Sequence, residues 1–337
     1  MTSKRIHYVV DDFHACGWYR ANVPGTALSR LGYDVALTDK MTPADVQQAD
    51  VIVFQRQWCP AALQAMDYGK ALGKLTVYEL DDDLWNIHPS NPAYAAWNDP
   101  RLVACAEALM RRADVITTTT PALAKQLRRF NDNVRILPNM LPGENWQVER
   151  ERPEGYDKVA LGWAGSIARK RDLEIVKHVI PQILEQYPQA EFLLAGHPSN
   201  QIFPEHPRIR TVEPLPIERY AEVLVQFDVG LAPVVDSRFN QAKSDLKFVE
   251  YGMVGIPTVA SNVEAYTHSI VNGETGFLAK NDKDWLKYLR RLIESPELLA
   301  EMGRNAKEFA EGRTISRNIG LWERAYGIAG EEQRDSA

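Results

Sequence analysis

The 337-residue sequence lacks three features that would each define a class of protein: a cysteine framework, a long apolar run and an excess of positive charge. Cys16, Cys59 and Cys105 are far apart and odd in number, which excludes a disulfide scaffold and a zinc-binding spacing. No apolar run approaches the roughly 20 residues of a membrane span, and the N-terminal apolar stretch is too short for a signal peptide. The net charge of -6 disfavours a diffuse grip on nucleic acid or anionic lipid. These absences predict a cytoplasmic protein.

What the sequence contains is a repeated alternation of short apolar segments and helical segments. The alternation runs from RIHYVV (5–10) to NVRILPN (133–139), and it restarts at KVALGWAG (158–165). This rhythm predicts parallel sheets covered by helices. We predict an N-terminal domain over 1–142, a linker over 143–157 and a second domain over 158–312. A C-terminal helix over 313–330 can pack back on the first domain.

Such domains bind ligands at the carboxyl ends of their parallel strands. We therefore predict an α/β protein with two Rossmann-like, doubly wound domains that face a central cleft. The second domain includes a predicted helix over 172–188, which tolerates or bends at Pro181, and another over 245–255.

The stretch KSDLKFVEYGMVGIP (243–257) contains more charge than a plain helix start requires. Ser244 or Asp245 can cap the helix. Lys247 falls in the first turn, where the helix dipole disfavours a cation unless an anion is present. Glu250 lies three residues further on the same face, where its carboxylate can accept ribose hydroxyls. An ordinary surface Lys–Glu pair remains the alternative at this point.

A second candidate stretch, GWAGSIARKRD (162–172), follows one predicted strand and precedes a helix. Gly165 and Ser166 permit close approach of a ligand to the backbone, and the helix N-terminus attracts anions. Arg169 and Lys170 add positive charge there. A strand–helix turn with a solvated basic run is the alternative.

Residues 243–306 closely resemble the C-terminal half of retaining GT-B glycosyltransferases of family 4, the glycosyl transferases group 1. The resemblance rests on the glutamate followed by GIPTVAS, on NGETGFL, and on GWAGS, FLLAG and DVGLAPV in that order. GWYRANVPGTALSRLGYDV and TVYELDDDLW resemble the front end of a subset of the same group. The likeness covers roughly the whole chain and is strongest over 155–310.

The resemblance implies that the second domain binds a nucleoside-diphosphate sugar, which serves as a co-substrate with no further cofactor. Arg169 or Lys170 would hold the diphosphate with Lys247, and Glu250 would bind the ribose. The backbone of 212–215, ending at Leu215, would meet the base.

The resemblance also assigns residues near the phosphates or the donor sugar. Lys243 and Ser244 would lie there, while Gly17 would admit the phosphate or sugar from the first domain, with Arg20 beside it.

Two departures from the family pattern affect these assignments. The first glutamate of the usual pair is replaced by Ala242, and the usual histidine after the fourth strand is replaced by ELDDDLW. Asp81, Asp82 and Asp83 are the candidate catalytic residues, because a carboxylate can orient an acceptor hydroxyl or stabilise positive charge on the sugar. Alternatively, one or two of them cap a turn before Trp85.

A metal bound to these carboxylates is a weaker alternative, since relatives typically neutralise the diphosphate with positive side chains. The resemblance therefore implies a metal-independent, hexosyl-type glycosyltransferase that retains anomeric configuration.

The acceptor remains open: a saccharide, a small molecule, a protein or a hydroxymethylated DNA base. The rival functions are a GT-B epimerase or phosphorylase and a catalytically inactive sugar-nucleotide binding protein.

Overall fold

The computed structural model describes residues 3–143, 146–148, 155, 157–196 and 202–329, apart from the side chain of Ile167; part of the predicted linker lies outside them. The chain divides into two compact units. The first comprises residues up to Pro142, Ala242–Ser244 and the residues from Thr314 on. The second comprises residues 143–241 and 245–313. Among the described residues, no helix combines the length and the apolar character needed to cross a membrane.

The first unit is built on a six-stranded parallel sheet with the order β2-β1-β3-β4-β5-β6. Its strands are β1 (Arg5–Val10), β2 (Asp34–Thr38), β3 (Val51–Gln55), β4 (Leu75–Leu80), β5 (Val115–Thr118) and β6 (Val134–Ile136). The central strands β3 and β5 are buried along their whole length, as expected for parallel strands covered on both faces.

Helices of the first unit begin at clear sequence signals. Proline stands at the start of several of them, where its missing N–H costs nothing. Thr42 and Asp45 form a capping box at one of these starts. The α-helices are Ala15–Gly17, Val23–Arg30, Pro43–Gln48, Pro60–Ala71, Tyr94–Trp97, Pro100–Arg112, Pro121–Leu127, Ile315–Asn318 and Gly320–Ala325, with a π-helix over Trp18–Asn22.

The C-terminal segment packs on the first unit as two short helices rather than one long helix. Ile315, Ile319 and Trp322 belong to the apolar cluster on one face of the first sheet. Tyr8 on β1 donates a 3.1 Å hydrogen bond to the hydroxyl of Tyr326. The apolar side chains expected on one face of a single amphipathic helix therefore come from two short helices, Ile315–Asn318 and Gly320–Ala325, and from the residue between them.

The second unit repeats the architecture with the strand order β12-β11-β10-β7-β8-β9, again all parallel. Its strands are β7 (Val159–Ala164), β8 (Ala190–Ala195), β9 (Ile209–Val212), β10 (Val229–Ala232), β11 (Thr258–Ser261) and β12 (Gly276–Ala279). Each sheet reverses its strand order beside its first strand, which is the arrangement of a doubly wound domain.

One predicted helix of the second unit is wrong in its extent. The stretch 172–188 is broken into the end of one short α-helix, a 3-10 turn and a longer α-helix that starts only at Val179. Pro181 therefore falls in the first turn, where the amides have no intrahelical acceptor to lose. The α-helices are Lys170–Leu173, Val179–Gln186, Tyr220–Leu224, Arg238–Gln241, Leu246–Met253, Glu264–Thr267, Asp282–Glu294 and Pro296–Glu311, and the 3-10 helices are Ile167–Arg169, Glu174–Val176 and Ile217–Arg219.

Candidate functional site

Lys247 and Glu250 meet near the start of the helix Leu246–Met253 in the second unit. Lys247 Nζ donates to Glu250 Oε2 at 2.8 Å and to the Tyr220 hydroxyl at 2.6 Å. The ammonium also lies 4.9 Å from the centroid of the Tyr220 ring. The Glu250 side chain is only 2% exposed, whereas that of Lys247 is 32% exposed. The pair is therefore a partly buried cluster, unlike an ordinary surface ion pair.

The charge state of this cluster follows from its surroundings. Burial lowers the pKa of Lys247, but the charge of Glu250 and the nearby tyrosines outweigh it, so the pKa is raised overall. Burial raises the pKa of Tyr220 well above its ordinary value, and the negative charge of Glu250 adds to that effect. At neutral pH the cluster thus presents an ammonium and a protonated phenol.

The predicted cap of this helix is wrong in its chemistry. Asp245 occupies the N-cap position, but its side chain makes no capping hydrogen bond. It pairs instead with Arg313, at 2.8 and 3.1 Å, and it accepts a hydrogen bond from Ser269. The carboxylate is therefore held away from the first-turn amides, which leaves Lys247 as the charged side chain of that turn.

Arg169 lies in a second polar cluster, close to the short helix Lys170–Leu173. Its Nη1 donates to Asp172 Oδ2 at 3.1 Å and to Asn240 Oδ1 at 3.3 Å. Asp172 also accepts from Asn240 Nδ2 at 3.0 Å and from the Val235 N–H at 2.9 Å. The guanidinium is thus oriented by buried partners while its own side chain stays partly exposed.

The turn after β7 holds the other predicted residues of this stretch. Ser166 is exposed and Lys170 is half-buried. A Cβ atom at Gly165 would lie 2.6 Å from Cζ2 of Trp163. The glycine is therefore required by the packing of Trp163, a reason that the sequence did not reveal. Leu215, after β9, is half-buried.

In the first unit, the three consecutive aspartates after β4 have different environments. Asp83 is fully buried, and its carboxylate accepts from the Trp85 N–H at 3.1 Å and from Asn86 Nδ2 at 2.8 Å. Asp83 therefore shapes the turn before Trp85, and its assignment as a catalytic residue is corrected. Asp81 faces Arg56, with 3.9 Å between Oδ1 and Nη1, and Asp82 forms an ion pair with Lys243.

The segment Ala242–Ser244 is fixed to the first unit at each of its residues. The Thr120 hydroxyl donates to the Ala242 carbonyl oxygen at 2.9 Å. Lys243 donates to Asp82, and Asn139 Nδ2 donates to the Ser244 hydroxyl at 2.9 Å. The methyl group of Ala242 packs in the apolar core, where a glutamate would be costly.

Among the described residues, Cys16, Asp81 and Asp82 could together contact a cation, since one ligand atom of each lies within 4.8 Å of the others. Arg56 and Lys243 already oppose the two carboxylates, which disfavours a metal. Burial raises the pKa of Cys16 well above its ordinary value, and the charge of Asp81 raises it further. The thiol is therefore protonated at neutral pH.

Two predicted residues of the first unit have structural roles that the sequence did not show. A Cβ atom at Gly17 would lie 1.6 Å from the carbonyl oxygen of Asp12, so the protein's own backbone excludes a side chain there. Arg20 is 1% exposed, and it bonds Glu79 through Nε at 2.7 Å and through Nη2 at 3.0 Å. Its assignment as a donor-binding residue is corrected, because its charge is paired in the core.

Sequence reasoning missed Tyr220, Asp172 and Asn240 as members of the two clusters in the second unit. Tyr220 lies 27 positions from Lys247 and Asn240 lies 71 positions from Arg169, whereas Asp172 is only three residues from Arg169. Arg56 was missed in the first unit. It follows β3 with a positive φ of 50°, an uncommon conformation for a non-glycine residue that often marks functional sites.

The residues of the second unit that form both clusters lie within a stretch that matches a known family. Residues 158–295 match the family model Glycosyl transferases group 1. A curated relative, D-inositol 3-phosphate glycosyltransferase from Corynebacterium diphtheriae, is 24% identical over 289 residues, which cover 73% of this chain and 66% of that protein. The chain spans two thirds or less of the length of the curated relatives it matches.

Solved structures resemble the whole chain. Sucrose-phosphate synthase from Thermosynechococcus elongatus superposes with a TM-score of 0.70 at 16% identity, covering 97% of this chain and all of that one. Anabaena Alr3699/HepE, solved in complex with UDP-glucose, gives 0.67 at 13% identity, with 96% and 99% covered. With two six-stranded parallel sheets that match these structures, the chain has the GT-B fold, and its second unit is similar to the group 1 glycosyltransferases.

Proposed function

We propose that the protein transfers a sugar from a nucleoside-diphosphate sugar to an acceptor hydroxyl. The observation that carries the proposal is the ammonium of Lys247, which is partly exposed in the first turn of a helix whose N-cap carboxylate is paired elsewhere. A helix start and a cation at one place favour an anion, and a diphosphate suits both.

The donor would be held mainly by the second unit. Arg169, Lys170 and Lys247 would neutralise the diphosphate, and Glu250 would bind the ribose. The turn that contains Gly165 and Ser166 would lie beside the phosphates, and the backbone of 212–215 would meet the base. Because Anabaena Alr3699/HepE was solved with UDP-glucose, a UDP-hexose is the first donor to test.

The segment fixed to the first unit would complete donor binding and catalysis. Lys243 and Ser244 would contact the phosphates or the sugar, and Asp82 or Asp81 would orient the acceptor. In the transfer, the acceptor oxygen bonds to the anomeric carbon, and the bond from that carbon to the diphosphate breaks with its electron pair on the leaving oxygen. A carboxylate accepts the proton of the hydroxyl. Positive side chains stabilise the leaving group without a metal.

Three finer features belong to the same proposal: retention of anomeric configuration, membership of family 4, and an acceptor that is a polyol or saccharide. The acceptor class agrees with the name of the Corynebacterium diphtheriae relative, which acts on an inositol phosphate. The cytoplasmic location inferred from the cysteines stays a prediction.

The test is a thermal-shift panel of UDP-, GDP-, ADP- and dTDP-sugars, because a ligand that binds only the native state raises Tm. The donor that gives a shift is then incubated with candidate acceptors in the presence of EDTA, and the products are analysed. A glycosylated acceptor supports the proposal. An altered sugar with free nucleotide would indicate an epimerase, and binding without turnover would indicate a binding protein.

A further inference from the structure

Tyr220 holds an unused hydrogen-bond donor beside the ammonium of Lys247. The phenol oxygen accepts the hydrogen bond from Lys247 Nζ at 2.6 Å. A tyrosine hydroxyl can donate one hydrogen bond as well as accept. Among the described residues, the Tyr220 proton has no acceptor, although the residue lies next to a buried carboxylate and an ammonium. If the hydroxyl served only to support Lys247, its oxygen would be sufficient and its proton would have no role.

The ammonium of Lys247 also has one N–H donor beyond those used in its two hydrogen bonds. It carries three N–H donors, of which one is given to Glu250 and one to Tyr220. Fixing two donors to buried or half-buried partners directs the third. Since 32% of the Lys247 side chain is exposed, that donor can reach a ligand.

Several contacts hold the Tyr220 ring in place. Trp146 packs edge-on against it, with 6.0 Å between ring centroids, and Lys247 lies over its face. Trp146 itself is buried. The hydroxyl is therefore presented in a fixed direction, which reduces the entropy lost when it binds a ligand. Because the pKa of Tyr220 is raised by burial and by Glu250, the proton stays on the phenol through the range in which enzymes work.

We propose that the Tyr220 hydroxyl and the Lys247 ammonium act as a paired clamp, each donating a hydrogen bond to an oxygen of the donor diphosphate. The inference rests on the proposed function and adds to it a specificity-determining residue. A neutral donor beside a cation selects an anion with two adjacent oxygens over a single carbonyl, and phosphate groups offer such oxygens.

The decisive variant is Tyr220→Phe, which removes the hydroxyl while keeping the ring against Trp146 and Lys247. UDP, GDP and ADP are each titrated calorimetrically into the wild-type protein, and the tightest binder is carried forward with its nucleoside. We expect Tyr220→Phe to raise Kd for the nucleoside diphosphate by about tenfold or more. Kd for the nucleoside should rise by less than about twofold. Tyr187→Phe removes an exposed hydroxyl from the same unit and serves as the matched control.

Other outcomes overturn the inference. Unchanged diphosphate binding by Tyr220→Phe shows that the hydroxyl makes no contact, and equal losses for nucleoside and diphosphate show a purely structural role. If the wild-type protein binds none of the nucleotides, the proposed function is wrong as well. Failure of the proposed function is thereby distinguished from failure of the Tyr220 inference alone.

A second measurement tests whether Tyr220 contacts the ligand directly or acts only through Lys247. Lys247→Met and the double variant are compared with the single variants in a double-mutant cycle. If Tyr220 donates directly to the ligand, adding Tyr220→Phe to Lys247→Met weakens binding further. If the added change has no effect, Tyr220 acts only through Lys247, and the direct contact is ruled out.

Discussion

Lys243 and Asp82 form an ion pair although 161 positions of the chain separate them. Each side chain is 17% exposed, so the pair is neither fully buried nor freely solvated. Asp83, the next residue, is buried and bonded to its own turn. Two adjacent aspartates thus have different surroundings, and the difference separates a candidate catalytic residue from a structural one.

This difference predicts opposite phenotypes for the two aspartates. Asp82→Asn should lower turnover by at least about tenfold with little change in Tm, because its partner Lys243 retains access to water. Asp83→Ala should lower the free energy of unfolding by about 1–3 kcal/mol, because it leaves the Trp85 N–H and the Asn86 amide without their acceptor. Turnover and urea denaturation of both variants provide the test. If Asp82→Asn is fully active, the assignment of the first unit is wrong.

Replacing Glu250 by glutamine should weaken donor binding without removing the fold. The change keeps the shape of the side chain but discharges the partner of Lys247. Hydrogen bonds to charged groups contribute roughly 1.5–3 kcal/mol, so we expect Kd for the nucleotide sugar to rise by about 10- to 100-fold. Glu264→Gln, on an exposed part of the same unit, is the control. Equal affinities for wild type and Glu250→Gln would show that the carboxylate does not contact the donor.

Sequence patterns predicted what depends on local periodicity. The alternation of apolar strands and helices gave both sheets, and the spacing of Lys247 and Glu250 on one helix face was correct. A short strand at Gly276–Ala279 was missed. Its four residues are too few for a period to be visible.

Features that depend on distant partners could not be predicted. Asp245 looks like a helix cap until the fold brings Arg313 and Ser269 to it. Arg20 looks like a phosphate ligand until Glu79, on a strand 59 positions away, is seen to neutralise it. In both cases the side chain matches a local motif, and a long-range ion pair decides its role.

Removing one member of the ion pair of Arg20 and Glu79 should strongly destabilise the first unit. Arg20 also donates to the Leu137 carbonyl at 2.7 Å and to Asn139 Oδ1 at 3.1 Å. Arg20→Met would leave Glu79 buried without its cation, and removal of one member of a buried pair costs about 3–5 kcal/mol. The midpoint of urea unfolding should therefore fall sharply. Arg101→Met, at a side chain that is 90% exposed, should leave the midpoint almost unchanged. Similar midpoints for the two variants would contradict a structural role for Arg20.

Asp114 should make the first unit less stable in acid. Burial raises the pKa of this carboxyl, but hydrogen bonds from Lys70 and Thr76 outweigh it, so the pKa is lowered from 3.8. A carboxyl whose pKa is lower in the folded state than in the unfolded state stabilises the protein at pH values above the unfolded-state pKa. This stabilisation is lost as the pH falls through the folded-state pKa.

The expected result is a difference in unfolding free energy between wild type and Asp114→Asn that is constant near neutral pH. The difference should shrink as the pH falls below 3.8. Urea titrations at a series of pH values measure it, and Asp67→Asn, which removes an exposed carboxylate, controls for net charge. A difference that does not change with pH would show that the Asp114 charge is not involved.

Gly17 should not tolerate even a methyl group. Its φ of -62° suits any residue, so the backbone conformation gives no reason for glycine. The reason is space, because a Cβ atom would lie 1.6 Å from the Asp12 carbonyl oxygen, which is backbone and cannot swing aside.

We expect Gly17→Ala to displace the loop after β1 and to lower the free energy of unfolding by at least about 1–3 kcal/mol. Gly320→Ala is the matched control, since its Cβ would meet only the ends of the Arg324 and Glu323 side chains, at 3.3 and 3.9 Å. Thermal unfolding should show a clear loss for the first variant and little for the second. An unchanged Tm for Gly17→Ala would mean that the loop has room to move and that the position does not require glycine.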